Sequence, residues 1–190
     1  MHYENIIAGL IILIVFGCNT SKLSANKKLD AIDNHDYMRG SSNGVLDSEQ
    51  IQFLKQNYNW KSEKNLIINF KESESNCKSA VYILGTDGFK KEQKIQTAFY
   101  SKINLDNYLN IFIYSEIKGI ERFIDNKTYF NDINNELLNS IFHNKTVCYG
   151  KVILNQNGKF VSFSGPHFSK KRLEAYLDFV NRETCIINYT

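Results

Sequence analysis

The sequence has little from which an unusual architecture could be built. One proline and ten glycines in 190 residues exclude collagen-like, Pro-rich and linker-rich designs. Four cysteines are too few for a disulfide scaffold. No charge of one sign dominates, since 23 basic and 20 acidic side chains leave a formal charge of +3. No basic stretch is interleaved with aromatics, so nucleic acid is not an expected partner. No apolar run reaches the roughly 20 residues that a membrane-crossing helix needs. The histidines, His2, His35, His143 and His167, are scattered with no pair at metal-ligand spacing, so no metal is expected. Gly165-Pro166 lacks the glycine spacing of a phosphate loop and reads as a bend; no cofactor is expected. What is present is ordinary. Apolar residues at 43% and aromatics at 13% support one packed domain. The abundant Asn and Lys read as a bias of genome base composition.

The first segment reads as an address. Ile6 to Phe16 is an apolar run of eleven, the length of a signal-peptide core. It ends in Val15-Phe16-Gly17-Cys18, and a small residue followed directly by Cys resembles the lipobox of bacterial lipoproteins. Met1 to Asn5 carries no Lys or Arg, and Phe16 is bulky for its position. The resemblance implies a signal peptide over 1–17 and a lipidated Cys18 as the mature N-terminus. The domain would then be anchored to a bacterial membrane in the cell envelope, in the periplasm or on the outer-membrane surface. The other reading is an uncleaved short anchor, or a core strand with an incidental Cys. From Asn19 to about Asn43 the chain is polar without a sustained apolar period, as in a flexible tether. The expected division is therefore 18–44 as lipidated Cys and tether, and 45–190 as the domain.

Within the domain, Asp47 or Ser48 can cap a helix running through Asn57. Asn57 to Lys64 is polar and turn-like, and Leu66 to Phe70 is a buried-type strand. Cys77 to Leu84 has helical spacing. Lys94 to Lys102 alternates as a strand would, Asn104 or Asp106 opens a helix through Phe112, and Ile120 to Ile124 reads as a strand. Tyr129 to Phe142 has the spacing of a helix, and Val152 to Leu154 is another buried-type strand. Asn157-Gly158 signals a hairpin completed by Phe160, Val161 and Phe163. Ser169 caps a final helix over Lys170 to Asn181, with Leu173, Tyr176, Leu177 and Val180 on one stripe.

Two blocks carry a family resemblance. Asn65 to Ala80 reads NLIINFKESESNCKSA, and Val152 to Leu177 reads VILNQNGKFVSFSGPHFSKKRLEAYL. They resemble the central strand, bend and Cys-bearing helix, and the closing strand–turn–strand–helix unit, of thioredoxin-like proteins. The resemblance implies an α/β, three-layer fold with a central mixed sheet flanked by helices. It implies Leu66–Phe70 and Val152–Leu154 in one sheet, and Cys77 at or within the first turn of a helix.

It also implies a chemistry that this chain alters. A thioredoxin-type dithiol needs Cys at i and i+3, the first held as thiolate by the helix N-terminus and the second resolving the mixed disulfide. Here the motif is Cys77-Lys78-Ser79-Ala80, and Ala cannot resolve. Thr146 to Gly150 occupies the place of the family's cis-Pro loop and has no Pro, so trans peptides are expected there. That loop carries Cys148, at or one residue before the position that would face Cys77. Two reduced thiols near each other are one reading, and a structural or redox-active disulfide is the other. Cys185 falls outside the site. Two functions remain open. One is a membrane-anchored thioredoxin-like lipoprotein in envelope thiol–disulfide exchange, with Cys77 attacking, Cys148 as candidate partner and a protein thiol or disulfide as substrate. The other is a non-catalytic thioredoxin-like lipoprotein kept as a binding or structural module.

Overall fold

Asn65–Lys71 is buried at every position, which requires a strand covered on both faces. The computed structural model describes residues 38, 40–72, 77, 85–143, 147–165 and 168–182, and that strand is the centre of its sheet. In chain order the elements are β1 (Ser41–Val45), α1 (Ser48–Asn57), β2 (Asn65–Lys71), α2 (Gly85–Tyr100), β3 (Tyr108–Tyr114), β4 (Tyr129–Asn131), α3 (Glu136–Ser140), β5 (Tyr149–Asn155), β6 (Lys159–Ser164) and α4 (Lys170–Asn181). The six strands lie in the order β1-β6-β5-β2-β3-β4. β2 runs parallel to β3 and antiparallel to β5, with Ile68 opposite both Ile111 and Val152. β5 and β6 form the antiparallel hairpin, and β1 closes one edge against β6.

Alternation along β2 divides the core into two layers. Leu66, Ile68 and Phe70 meet Leu54, Trp60, Leu137 and Ile141 on the α1 and α3 side. Ile67 packs with Phe89, Tyr100, Leu173, Tyr176 and Val180 on the α2 and α4 side. Helices thus cover both faces of a mixed sheet, with a parallel pair followed by a hairpin and a closing helix. This is the thioredoxin-like α/β fold, and Leu66–Phe70 and Val152–Leu154 share its sheet.

Local chemistry sets the element ends. Asp47 accepts the Gln50 N–H at 2.8 Å while Gln50 accepts the Asp47 N–H at 3.0 Å, a reciprocal capping box. Ser169 Oγ accepts the Arg172 N–H at 3.1 Å at the start of α4. The β5–β6 turn is one residue longer than a two-residue Asn-Gly hairpin, because Leu154 pairs with Phe160 and the Gly158 N–H reaches the Asn155 carbonyl. Gly158 alone there takes a positive φ, of 80°. A Cβ on it would stand 2.7 Å from the Leu46 carbonyl oxygen.

Several expectations are corrected. Lys94 to Lys102 is not a strand: its first seven residues, through Tyr100, are the C-terminal part of α2. Its alternation is incidental, for Ile95 points to solvent at 59% exposure while Tyr100 is buried. The helix expected from Asn104 is β3 from Tyr108 onward. Ile120 to Ile124 holds a 3-10 turn at Glu121–Phe123, set by burial of Ile120 and by Phe123 stacking on Phe89 at 4.4 Å. Of the helix expected over Tyr129 to Phe142, only Glu136–Ser140 is α-helical. Tyr129–Asn131 joins the sheet edge beside β3, and left-handed Asn134 and Asn135 break the chain between them. Trp60, in the turn-like stretch, is a core side chain at 1% exposure. β1 begins at Ser41, inside the stretch read as tether.

The asparagines are more than a compositional bias. Five of the six described non-glycine residues with positive φ are Asn: 59, 107, 126, 134 and 135. Asn tolerates that conformation better than most residues. The expected signal peptide, Cys18, Cys185 and residues 78–84 of the expected Cys77 helix lie outside the described residues.

Candidate functional site

β2 ends at Lys71, whose partner in register is Tyr149, the first residue of β5. The chain leaving β2 therefore passes beside the chain entering β5. Cys77 follows the first segment and Cys148 immediately precedes the second. The two are joined as a disulfide with Cα atoms 5.4 Å apart, across 71 positions of sequence. That separation is within the range a disulfide requires. Cys77 is buried at 1% exposure, whereas Cys148 is half-buried.

The loop before β5 is fixed from two sides. Val147 is buried among Phe70, Phe142 and Val152, and the Phe70 and Phe142 rings lie 5.2 Å apart. Its N–H donates to Glu72 Oε2 at 2.7 Å, and Glu72 is itself buried. Gly150, opposite Phe70 in β5, lets the ring of Phe142 lie directly on the backbone. No cis peptide bond occurs among the described residues.

A polar cluster occupies the other face of the same strands. Asn69 and Lys71 alternate out of the apolar layer, and Lys151 joins them from β5. Lys71 Nζ pairs with Glu92 of α2 at 3.0 Å and stands 5.0 Å over the Tyr149 ring. Lys151 Nζ donates to Asn69 Oδ1, to Gln96 Oε1 at 3.3 Å and to Tyr100 Oη at 3.2 Å. Tyr100 Oη in turn donates to Asn69 Oδ1 at 2.6 Å. Among the described residues, Lys151 has no carboxylate in ion-pair reach. Burial lowers its amine to about 7, with nearby Glu92 opposing the shift. Burial also raises the phenol of Tyr100 well above its usual range. Lys71, Glu92, Gln96, Tyr149 and Lys151 border a cleft of about 40 Å³, room for water-sized occupants rather than an organic cofactor.

The sequence identified both cysteines of the bond, and the fold brings them together. Cys77 itself is in no regular element, and α2 begins at Gly85. His143 is exposed, and no group of three or more metal-ligating side chains forms among the described residues. Sequence reasoning missed the roles of Glu72, Asn69 and Lys151. For Asn69 and Lys151, polar side chains within otherwise apolar strands were the available signal.

The fold and the site together define a class: a thioredoxin-like α/β domain with a disulfide between the exit of its central strand and the entry of the neighbouring antiparallel strand. No family model matches the chain, and no curated protein matches its sequence. Among solved structures it is similar to a solution structure of a putative thioredoxin from Neisseria meningitidis. Identity is 14% and the TM-score 0.39, over 74% of this chain and 89% of that one. The class rests on strand order and register rather than on that similarity.

Proposed function

We propose that this chain is a lipid-anchored protein of a bacterial envelope whose Cys77–Cys148 disulfide exchanges with thiols of partner proteins. The observation that carries the exchange is the asymmetry of the bond: Cys148 is half-buried, while Cys77 is 1% exposed. A partner thiolate can therefore attack Cys148 Sγ, and Cys77 leaves as thiolate and takes a proton. The partner's second thiolate then attacks its own sulfur in the mixed disulfide, releasing Cys148. The partner dithiol is oxidised to a disulfide and this protein is reduced to two thiols; the reverse sequence oxidises this protein. Ala80 leaves the Cys77 motif without a resolving thiol, and the bonded pair supplies one from the entry of the neighbouring strand. Cys148 then takes the role of reactive sulfur expected of Cys77.

The anchor is supported by sequence: the apolar run Ile6 to Phe16 followed by Gly17-Cys18. No described helix is long and apolar enough to cross a membrane. Acylation at Cys18 would hold the domain at the bilayer, given more than one chain.

A second reading, a structural bond in a non-catalytic binding module, is favoured by the burial of Cys77 and by the length of the closed loop. Trapping separates the two. A Cys77→Ser variant should accumulate mixed disulfides on Cys148 with envelope proteins, and Cys148→Ser should accumulate none. If neither variant traps a partner, and the native bond is reduced no faster than the protein unfolds, the bond is structural.

A further inference from the structure

We propose that Glu72 is a positioning residue for the disulfide: its carboxylate holds the Cys148 loop within reach of Cys77 and so sets how readily the bond opens. The proposal deepens the exchange reading and rests on it. Glu72 is the first residue past β2 and is 5% exposed. Enclosing a carboxylate is costly unless its oxygens are matched with donors. Here Glu72 Oε2 receives the Val147 N–H at 2.7 Å. Val147 stands two residues before β5 begins, outside the sheet's ladder, so this donor is met by a side chain from the other segment. The contact crosses 75 positions of sequence, nearly the separation that the cysteines cross one residue later. It therefore joins the same two segments as the covalent bond.

Two links that hold the same loop in the same place strengthen each other, and the coupling is reciprocal. With Glu72 accepting, the loop is already ordered when the thiols meet, and closing the bond costs less entropy. With the bond closed, the Val147 N–H is held on its acceptor. A contact of purely structural value would stabilise oxidised and reduced folds equally and leave the reduction potential unchanged. The potential is thus the quantity that separates positioning from packing.

The test equilibrates the full chain with reduced and oxidised dithiothreitol and reads the thiol fraction by alkylation and mass. Glu72→Met keeps the volume and removes the acceptor, whereas Glu72→Gln keeps an acceptor oxygen. The Met variant should lower the equilibrium constant for the disulfide about ten- to hundredfold, as expected for losing a charge-assisted hydrogen bond. At 29.6 mV per tenfold change, that is a potential about 30–60 mV less negative. The Gln variant should stay within about threefold of the parent. In the unmutated protein, amide exchange at Val147 should accelerate by a similar factor on reduction. Equal potentials for parent and Met variant, or Val147 exchange indifferent to redox state, overturn the proposal. If the Met variant does not fold, the Val147 measurement decides alone. The exchange reading fails separately, if the parent bond opens no faster than the whole protein unfolds.

Discussion

The ring of Phe142 lies so close to Gly150 that a Cβ added there would stand 2.5 Å from its Cζ and 3.1 Å from Val147 Cγ1. Gly150 is buried at the second position of β5, two residues after Cys148. Its lack of a side chain lets Phe142 and Val147 seat the disulfide loop against the sheet.

Gly150→Ala should therefore destabilise the protein by about 1–3 kcal/mol through overpacking. Urea denaturation would show a lower midpoint with an unchanged slope. An unchanged midpoint would mean that Phe142 moves aside freely.

Replacing both Cys77 and Cys148 with Ala should cost about 2–5 kcal/mol, because the bond closes a long loop. Non-reducing peptide mapping of the parent should recover the two cysteines on one cross-linked species. Alkylation of both thiols in native, air-exposed protein would contradict the bond.

Lys151 should give stability a pH dependence of defined sign. Its amine titrates at about 7 when folded, against 10.5 ordinarily. Between those values the unfolded chain binds more protons than the folded one, so this group's contribution rises with pH. Below the folded value the cost of enclosing the charge is fully present. Lys151→Met removes the titration, so its stability relative to the parent should be highest near pH 6 and decline towards pH 9. The slope should approach about 1.4 kcal/mol per pH unit. Parallel denaturation midpoints across that range would contradict this account.

Cys18 should carry a diacylglyceryl thioether in membrane-extracted protein, read by mass spectrometry of the N-terminal peptide. A Cys18→Ala variant that stays membrane-bound and uncleaved would point to a simple apolar anchor.

The parts of the fold legible in the sequence were those with local determinants. Asp47 and Ser169 mark helix starts through their own side-chain oxygens, and Leu66 to Phe70 is apolar at nearly every position because both faces are covered. The middle of the chain was misread where short spacings fit two periods. Leu105, Leu109 and Phe112 have helical intervals, yet the second half of the strand Tyr108–Tyr114, Ile111 to Tyr114, alternates β-branched and aromatic residues. In Lys94 to Lys102 the alternating set looked like a face, while the true buried side of α2 runs through Phe89 and Tyr100. Parallel pairing with β2 decides the first case, and packing of Phe89 and Tyr100 into the core decides the second. At the site, the cysteine types were visible, but the bond is a property of topology. Glu72 and Val147 are far apart in sequence, and no local pattern predicts that one accepts from the other.

The span between Cys77 and Cys148 makes a covalent ring that contains α2, β3, β4 and α3. The exposed turn at Asp125, Asn126 and Lys127 lies inside it. A protease cutting there would sever the main chain without separating the products. The nicked protein should migrate as one species on a non-reducing gel and split into two fragments once reductant is added. A cut in the β5–β6 turn at Asn157, outside the ring, should release its fragment under either condition.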